Sequence, residues 1–316
     1  MAMKSYKGFD KKLKCRDFQY EIGKEYEMDG EIKVCSRGFH ACESPFDVFD
    51  HYTMIDSRFC EVEQDGNISK EDRGTKICSS KIKIKAELKL ADMINLGVEW
   101  LKEITSPEKI KTSIKDNSSG NGAQIGSSGY DAKIGSSGND AQIGSSGNGA
   151  KIGSSGNGAK IGSSGYGAKI GSSGYGAQIG SSGNDAQIGS SGNDAQIGSS
   201  GNGAQIGSSG NDAQIGSSGY GAKIGSSGNY AQIGSSGNYA KIDSTGEGCV
   251  IMCAGINSVA KASKGSWITL SEWSYSDKKQ RYIPVCVKTE FVDGKKIKAD
   301  TYYSLKGGVF VESVNN

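Results

Sequence analysis

Two thiols and one imidazole fall within Cys35-Ser36-Arg37-Gly38-Phe39-His40-Ala41-Cys42. With Cys15 or Cys60 as a fourth donor, Cys35, His40 and Cys42 could hold a zinc ion, since thiolate and imidazole are its usual ligands. The Cys-x4-His-x-Cys spacing matches no common finger, however. Small buried thiols beside a structural histidine account for the same pattern, so no cofactor is expected. The other groups able to do acid–base or electrostatic chemistry nearby are Lys7 and the carboxylates Glu61, Glu63 and Glu71.

An α+β domain over residues 3–116 must position these side chains. Ser5–Phe9 and Phe18–Gly23 read as strands. Ser44-Pro45-Phe46-Asp47 has the chemistry of a helix start, with Ser as cap and Pro at the first position, and the helix should end near Tyr52. Strands are expected at Arg58–Glu63 and Lys81–Leu88. A helix is expected from Ala91 to Ile104, where Met93, Ile94, Leu96, Val98, Trp100 and Leu101 recur at helical spacing.

The order Tyr6-Lys7-Gly8, Gly23-Lys24-Glu25-Tyr26, Gly38-Phe39-His40-Ala41 and a strand with Glu61 and Glu63 resembles that of ADP-ribosyltransferases. The resemblance implies Lys7 and His40 holding a dinucleotide while Glu61, Glu63 or Glu71 polarises the ribose. The chain departs from that family where a Ser-Thr-Ser element would stand, since His40-Ala41-Cys42 occupies the place. The Glu-x-Glu pair is also out of position.

Beyond this domain the chain repeats. The unit Gly-Ser-Ser-Gly-(Asn/Tyr)-(Gly/Asp/Tyr)-Ala-(Gln/Lys)-Ile places isoleucine at every ninth residue from Ile125 to Ile242, fourteen times. Alternation within Ala-(Gln/Lys)-Ile-Gly-Ser gives a strand with Ala, Ile and Ser inward and Gln/Lys and Gly outward. The remaining residues favour a tight turn, and the 48 glycines of the chain, concentrated here, exclude a helix. Nine residues cannot encircle a core, so each coil needs more than one unit.

The lysines tilt the choice between two units and three towards two. Lys133, Lys151, Lys169, Lys223 and Lys241 fall in even-numbered units and Lys160 alone in an odd one, a sorting that three units per coil would not produce. A β-solenoid of two-unit coils over 117–261 is therefore expected, about seven coils in its regular part. One outer face would be mostly glutamine (Gln124, Gln142) and the other richer in lysine, each beside a bare row of glycine. These Lys and Gln rows are the candidate binding surface. Too few units carry Asp for calcium ladders of the Gly-Gly-x-Gly-x-Asp type, and the outward row lacks the Thr-x-Thr grid of an ice-binding face.

Residues 262–316 read as a small antiparallel β-meander, a cap for the last coil, with strands at Trp267–Trp273, Tyr282–Phe291, Lys295–Tyr303 and Val309–Val314 and hairpin turns at Asp293-Gly294 and Gly307-Gly308. Trp267, Trp273, Tyr282, Phe291, Tyr302 and Tyr303 are expected to form its core. The fold class is thus mainly β, with a central solenoid between an α+β domain and a small β domain.

The 37 Lys/Arg and 35 Asp/Glu are spread evenly, so neither the basic stripe of a nucleic-acid binder nor a dense acidic mimic is present. No window approaches the ~18 apolar residues of a membrane span. The first residues lack a secretion signal and the eight cysteines are irregularly spaced, so reduced thiols in a cytoplasm are expected.

The segments Tyr6-Lys7-Gly8-Phe9-Asp10, Phe18-Gln19-Tyr20-Glu21 and Gly38-Phe39-His40-Ala41-Cys42 are similar to those of a phage- and prophage-associated family of Gram-positive bacteria. So are Gly265-Ser266-Trp267-Ile268-Thr269-Leu270 and Val292-Asp293-Gly294-Lys295-Lys296-Ile297-Lys298-Ala299-Asp300-Thr301. That family places a variable repeat between matching ends, and the resemblance implies a genomic context only, with nothing to carry over about catalysis. The expected function is a phage-encoded, non-enzymatic protein acting on a host protein, including a defence protein, in the host cytoplasm. The solenoid or the C-terminal segment could also join copies of the chain. The alternatives are a nucleotide-handling enzyme or ligand-binding module displayed on a solenoid stalk, and a structural spacer.

Overall fold

A computed structural model describes residues 2–71, 74–105, 117–118 and 120–313, in two compact units that meet at Trp100/Leu101. The expected boundary at 116/117 adjoins residues outside those described.

In the first unit, β1 (Met3–Phe9) is followed by the two-residue strands β2 (Lys14–Cys15) and β3 (Phe18–Gln19). Next come β4 (Glu25–Glu27), β5 (Phe39–Cys42), β6 (Arg58–Lys70) and β7 (Lys76–Leu88). β6 pairs with β1 on one edge and β7 on the other, and β5 joins β1 to β7, so these four strands close on themselves. β4 pairs with β7 beyond β5. Phe9, Tyr20, Phe39, Val62, Ile82 and Ile84 fill one core cluster.

The helix α1 (Leu90–Ile104) forms as its periodicity predicts, with Met93, Ile94, Val98 and Leu101 buried. The helix expected after Ser44 is instead a 3-10 turn, Phe46–Asp50. Four of its five residues are buried, including Phe46, Val48 and Phe49, so it has no polar face on which a longer helix could run in water. The expected strand Phe18–Gly23 stops at Gln19, as the chain turns through Gly23 at φ 85°.

In the second unit, each four-residue strand from Gln124–Ser127 to Lys241–Ser244 pairs in parallel with the strand eighteen residues later, as in Lys151↔Lys169 and Gln178↔Gln196. There are therefore two units per coil, and about eight coils over residues 124–270. Isoleucines from both sheets form one core cluster with the alanines and, at the C-terminal end, Ile268, Leu270 and Tyr303.

The turns explain the variable sixth position of the repeat. Asp131, Asp140, Asp185, Asp194 and Asp212 have φ between 51° and 57°, and the equivalent glycines, from Gly122 to Gly248, have φ between 63° and 70°. Asp and Gly alternate there because both tolerate the left-handed conformation. The preceding asparagine builds a ladder in which the N–H of Asn157 donates to Oδ1 of Asn139 (3.0 Å) and that of Asn211 to Oδ1 of Asn193 (2.9 Å).

A second ladder runs inside. The hydroxyls of Ser145, Ser163, Ser181 and Ser199, and of their counterparts on the other sheet, are buried and form no hydrogen bond. The fold does not require them: Ser235 aligns with Cys253 and Ser244 with Ala262 in the last coil. Removing a buried hydroxyl with no partner costs nothing in hydrogen bonding, so Ser199→Ala should leave stability unchanged or raise it by about 1 kcal/mol. Urea unfolding of the variant against the parent checks this.

The C-terminal residues form antiparallel strands, as expected, and extend the solenoid sheets. Trp267–Ser276 stacks in parallel on Val250–Cys253 and pairs antiparallel with Arg281–Phe291. Tyr303–Lys306 pairs with the strand of Ala260 on the other sheet and, through the Gly307-Gly308 turn, with Val309–Glu312. The Glu272 carboxylate accepts the N–H groups of both Gly307 and Gly308 at 2.8 Å, which lowers its pKa. The strand expected at Lys295–Tyr303 is absent up to Tyr302. There the Asp293 carboxylate accepts the N–H groups of Lys295 (2.7 Å) and Ile297 (3.1 Å) and holds a turn.

Candidate functional site

Two surfaces carry the chemistry, one in each unit. The first is a pocket of about 540 Å³ lined by residues of β1, β2, β5 and their flanking loops. Lys7 lies on its floor, 4 % exposed, where burial is the chief cause of a lowered pKa. Its ammonium donates to the carbonyl of His40 (2.8 Å) and contacts Cys15 Sγ (3.6 Å). The Tyr52 hydroxyl donates to the same sulfur (2.9 Å). The Phe9 and Tyr20 rings each stand 5.5 Å from the Lys7 nitrogen, and no carboxylate pairs with it among the described residues.

His40 lines the same pocket. Burial lowers its pKa, and the neighbouring charges of Lys7 and Lys76 lower it further. Its Nε2 accepts the backbone N–H of Cys35 (3.0 Å), so that nitrogen is already occupied. Among the described residues no group of His, Cys, Asp and Glu has the arrangement of a metal site, and Cys35, His40 and Cys42 therefore do not form one.

Lys7 and His40 are thus brought together as the dinucleotide reading expects, but the carboxylates are not. Glu61 pairs with Lys4 (2.8 Å) and Glu63 with Lys85 (2.9 Å), both on the outside of β6, and Glu71 is exposed; none of the three lines the pocket. Sequence reasoning missed Arg16, Phe18, Tyr52 and Lys76 as pocket residues. They are scattered along the chain, and only the closure of β5 between β1 and β7 gathers them. Gly8 is the one local signal, since a Cβ there would stand 2.4 Å from the Tyr52 ring.

The second surface is an outer face of the solenoid. Gln124, Gln142, Lys160, Gln178, Gln196 and Gln214 form one exposed row, with an exposed glycine row (Gly126 to Gly216) beside it. Together they line a shallow groove of about 1540 Å³. The opposite face has the same repeat, but there the glycines from Gly135 to Gly225 are buried. At Gly135 a Cβ would stand 2.2 Å from the carbonyl oxygen of Thr105.

The lysine-rich row lies on that covered face. Lys133 is exposed, whereas Lys151, Lys169, Lys223 and Lys241 are partly buried and engaged in contacts, Lys241 over the Tyr302 ring at 4.3 Å. Of the candidate binding residues, Gln124 and Gln142 lie on the open face.

Toward the C-terminal end the open face becomes apolar. Val250 and Met252 replace Gln and Gly in register, then Trp267 continues the glutamine row and pairs across to Phe291. Trp267 is 47 %, Phe291 42 % and Val287 65 % exposed. Trp267, Tyr282 and Phe291 therefore do not belong to the core expected of them. Trp273 is half-buried, its indole N–H donating to the Ala254 carbonyl (3.0 Å), and Tyr302 and Tyr303 are buried as expected.

Residues 3–96 match the model of a family described as a domain of unknown function (DUF7666), a stretch that contains every residue lining the pocket. No curated protein and no solved structure matches the chain. Among the described residues no helix is long and apolar enough to cross a membrane.

Proposed function

We propose that the chain is a non-enzymatic interaction protein that holds a partner protein against the open face of its solenoid. The observation that carries this reading is the exposed apolar patch formed by Val250, Met252, Trp267 and Phe291, with Val287 beyond Thr289, which extends a flat, exposed Gln/Gly face. Contiguous exposed apolar surface bordered by polar residues is the signature of a protein-binding site. The resemblance of both flanks to a phage- and prophage-associated family, together with analogy to other phage proteins that need no catalysis, suggests a host protein, including a defence protein, as the partner. A cytoplasmic setting is in keeping with eight free cysteines.

The enzymatic alternative has less support, because Asp17 is the single carboxylate among the described residues that line the pocket. The test is capture from host lysate by the immobilised full chain, read by mass spectrometry, with Val287→Lys alongside. Val287 is exposed, so the variant should fold within about 0.5 kcal/mol of the parent. One saturable, stoichiometric protein should be retained by the parent and lost by at least about tenfold in the variant. Equal capture by both, or capture of nothing by the parent, would overturn the reading.

A further inference from the structure

We propose that the pocket in the first unit is a binding site for a nucleoside phosphate, with the phosphate held by Arg16 and Lys76 and the base stacked on Phe18. The inference stands apart from the docking surface above, which lies in the other compact unit.

Three observations converge on this ligand class. The charge lining the pocket is one-sided: Lys7, Arg16 and Lys76 are cations, His40 and His51 can become so, and Asp17 is the sole opposing carboxylate among the described lining residues. These cations act on one another. Lys7 and Lys76 both depress the His40 pKa after burial has done so, and Arg16 adds to the depression at Lys7. An arrangement of mutually repelling cations is relieved by an incoming anion, and a guanidinium offers the fork that fits phosphate oxygens.

The second observation is an aromatic wall. Phe18 is 45 % exposed at the pocket although it has Tyr20 and Tyr26 edge-on at 4.7 and 5.3 Å. A large apolar ring left half in solvent beside a cationic cavity offers a face to a flat heterocycle. The third is size, since about 540 Å³ lies within the ~300–1,000 Å³ common for small-ligand sites. Inorganic phosphate alone would use the cations and leave both the ring and most of the volume unfilled.

The test is titration calorimetry of the full chain at pH 7 with the common nucleoside mono- and diphosphates, adenosine and inorganic phosphate. At least one nucleotide should bind with a Kd of about 100 μM or tighter and exceed inorganic phosphate by about tenfold. Arg16→Ala and Phe18→Ser should each weaken that binding about tenfold. Both residues are exposed, and circular dichroism would verify their fold. Val287→Lys should leave nucleotide binding unchanged. Absence of binding by every nucleotide up to about 1 mM would overturn the proposal, and so would binding that inorganic phosphate equals or that neither pocket variant alters.

Discussion

Gly192→Ala is expected to destabilise the solenoid by about 3 kcal/mol or more, while Gly198→Ala should leave its stability unchanged or raise it by about 0.5 kcal/mol. The two residues lie six apart in adjoining units of the repeat, and neither has a positive φ, so conformational strain does not separate them. The difference is steric. A Cβ on Gly192 would stand 2.0 Å from the carbonyl oxygen of Gly174, one coil below, and 2.7 Å from its carbon. Neither atom can move without displacing the stacked backbone, so the whole coil spacing resists. A Cβ on Gly198 meets nothing within 4 Å, and alanine there restricts the unfolded chain. Midpoints of urea unfolding for the two variants would measure the contrast. The result also bears on function: the fold has no steric need for glycine along the open face, where Met252 already stands in the last coil. If a partner docks on this face as proposed, the bare row there would allow its close approach, as Gly135 allows that of Thr105 on the opposite face.

The second large effect concerns parity. Removing residues 180–197 takes out one whole coil and leaves every later strand on its own sheet, because pairing runs from each residue to the one eighteen further on. Removing 180–188 takes out half a coil and exchanges the sheets for everything that follows. Both deletions rejoin the repeat in phase, so both chains should stay β-rich. The whole-coil deletion should melt close to the parent and keep its partner protein. The half-coil deletion should lose at least about tenfold in partner capture, because the Trp267–Phe291 patch no longer continues the Gln/Gly row of the first coils. Capture that is equal in the two deletions would confine the docking surface to the apolar patch itself. Loss from both would show that length counts as well as face.

The solenoid was legible because its determinants are local and repeated. Isoleucine at every ninth position sets the strand, and the clustering of lysine in alternate units reveals the two-unit coil. Which face lies open was not legible, since Lys169-Ile170-Gly171-Ser172 and Lys160-Ile161-Gly162-Ser163 are the same four residues on opposite sheets. Their difference comes from what packs on them. The C-terminal aromatics were misplaced for a related reason: large rings usually mark a core, but Trp267 and Phe291 sit at outward positions of a sheet that simply continues. In the first unit the helix α1 was readable from its spacing. The pocket was readable in half, through Lys7 and His40, because its other residues come together by strand pairing across long stretches of chain.

The solenoid sheets stack near-identical short strands in parallel register, with Ile above Ile and Ser above Ser from coil to coil, which is the arrangement of an amyloid filament confined to one molecule. A filament grows because its last strand is a template for the next. Here the last strands run the opposite way: Arg281–Phe291 closes one sheet and Val309–Glu312 the other, both antiparallel to their neighbours. The terminal strands also carry Arg281, Lys288, Glu290 and Glu312, charges that oppose docking of a further strand. The C-terminal segment is accordingly a chain terminator, the element that keeps a self-templating sequence finite.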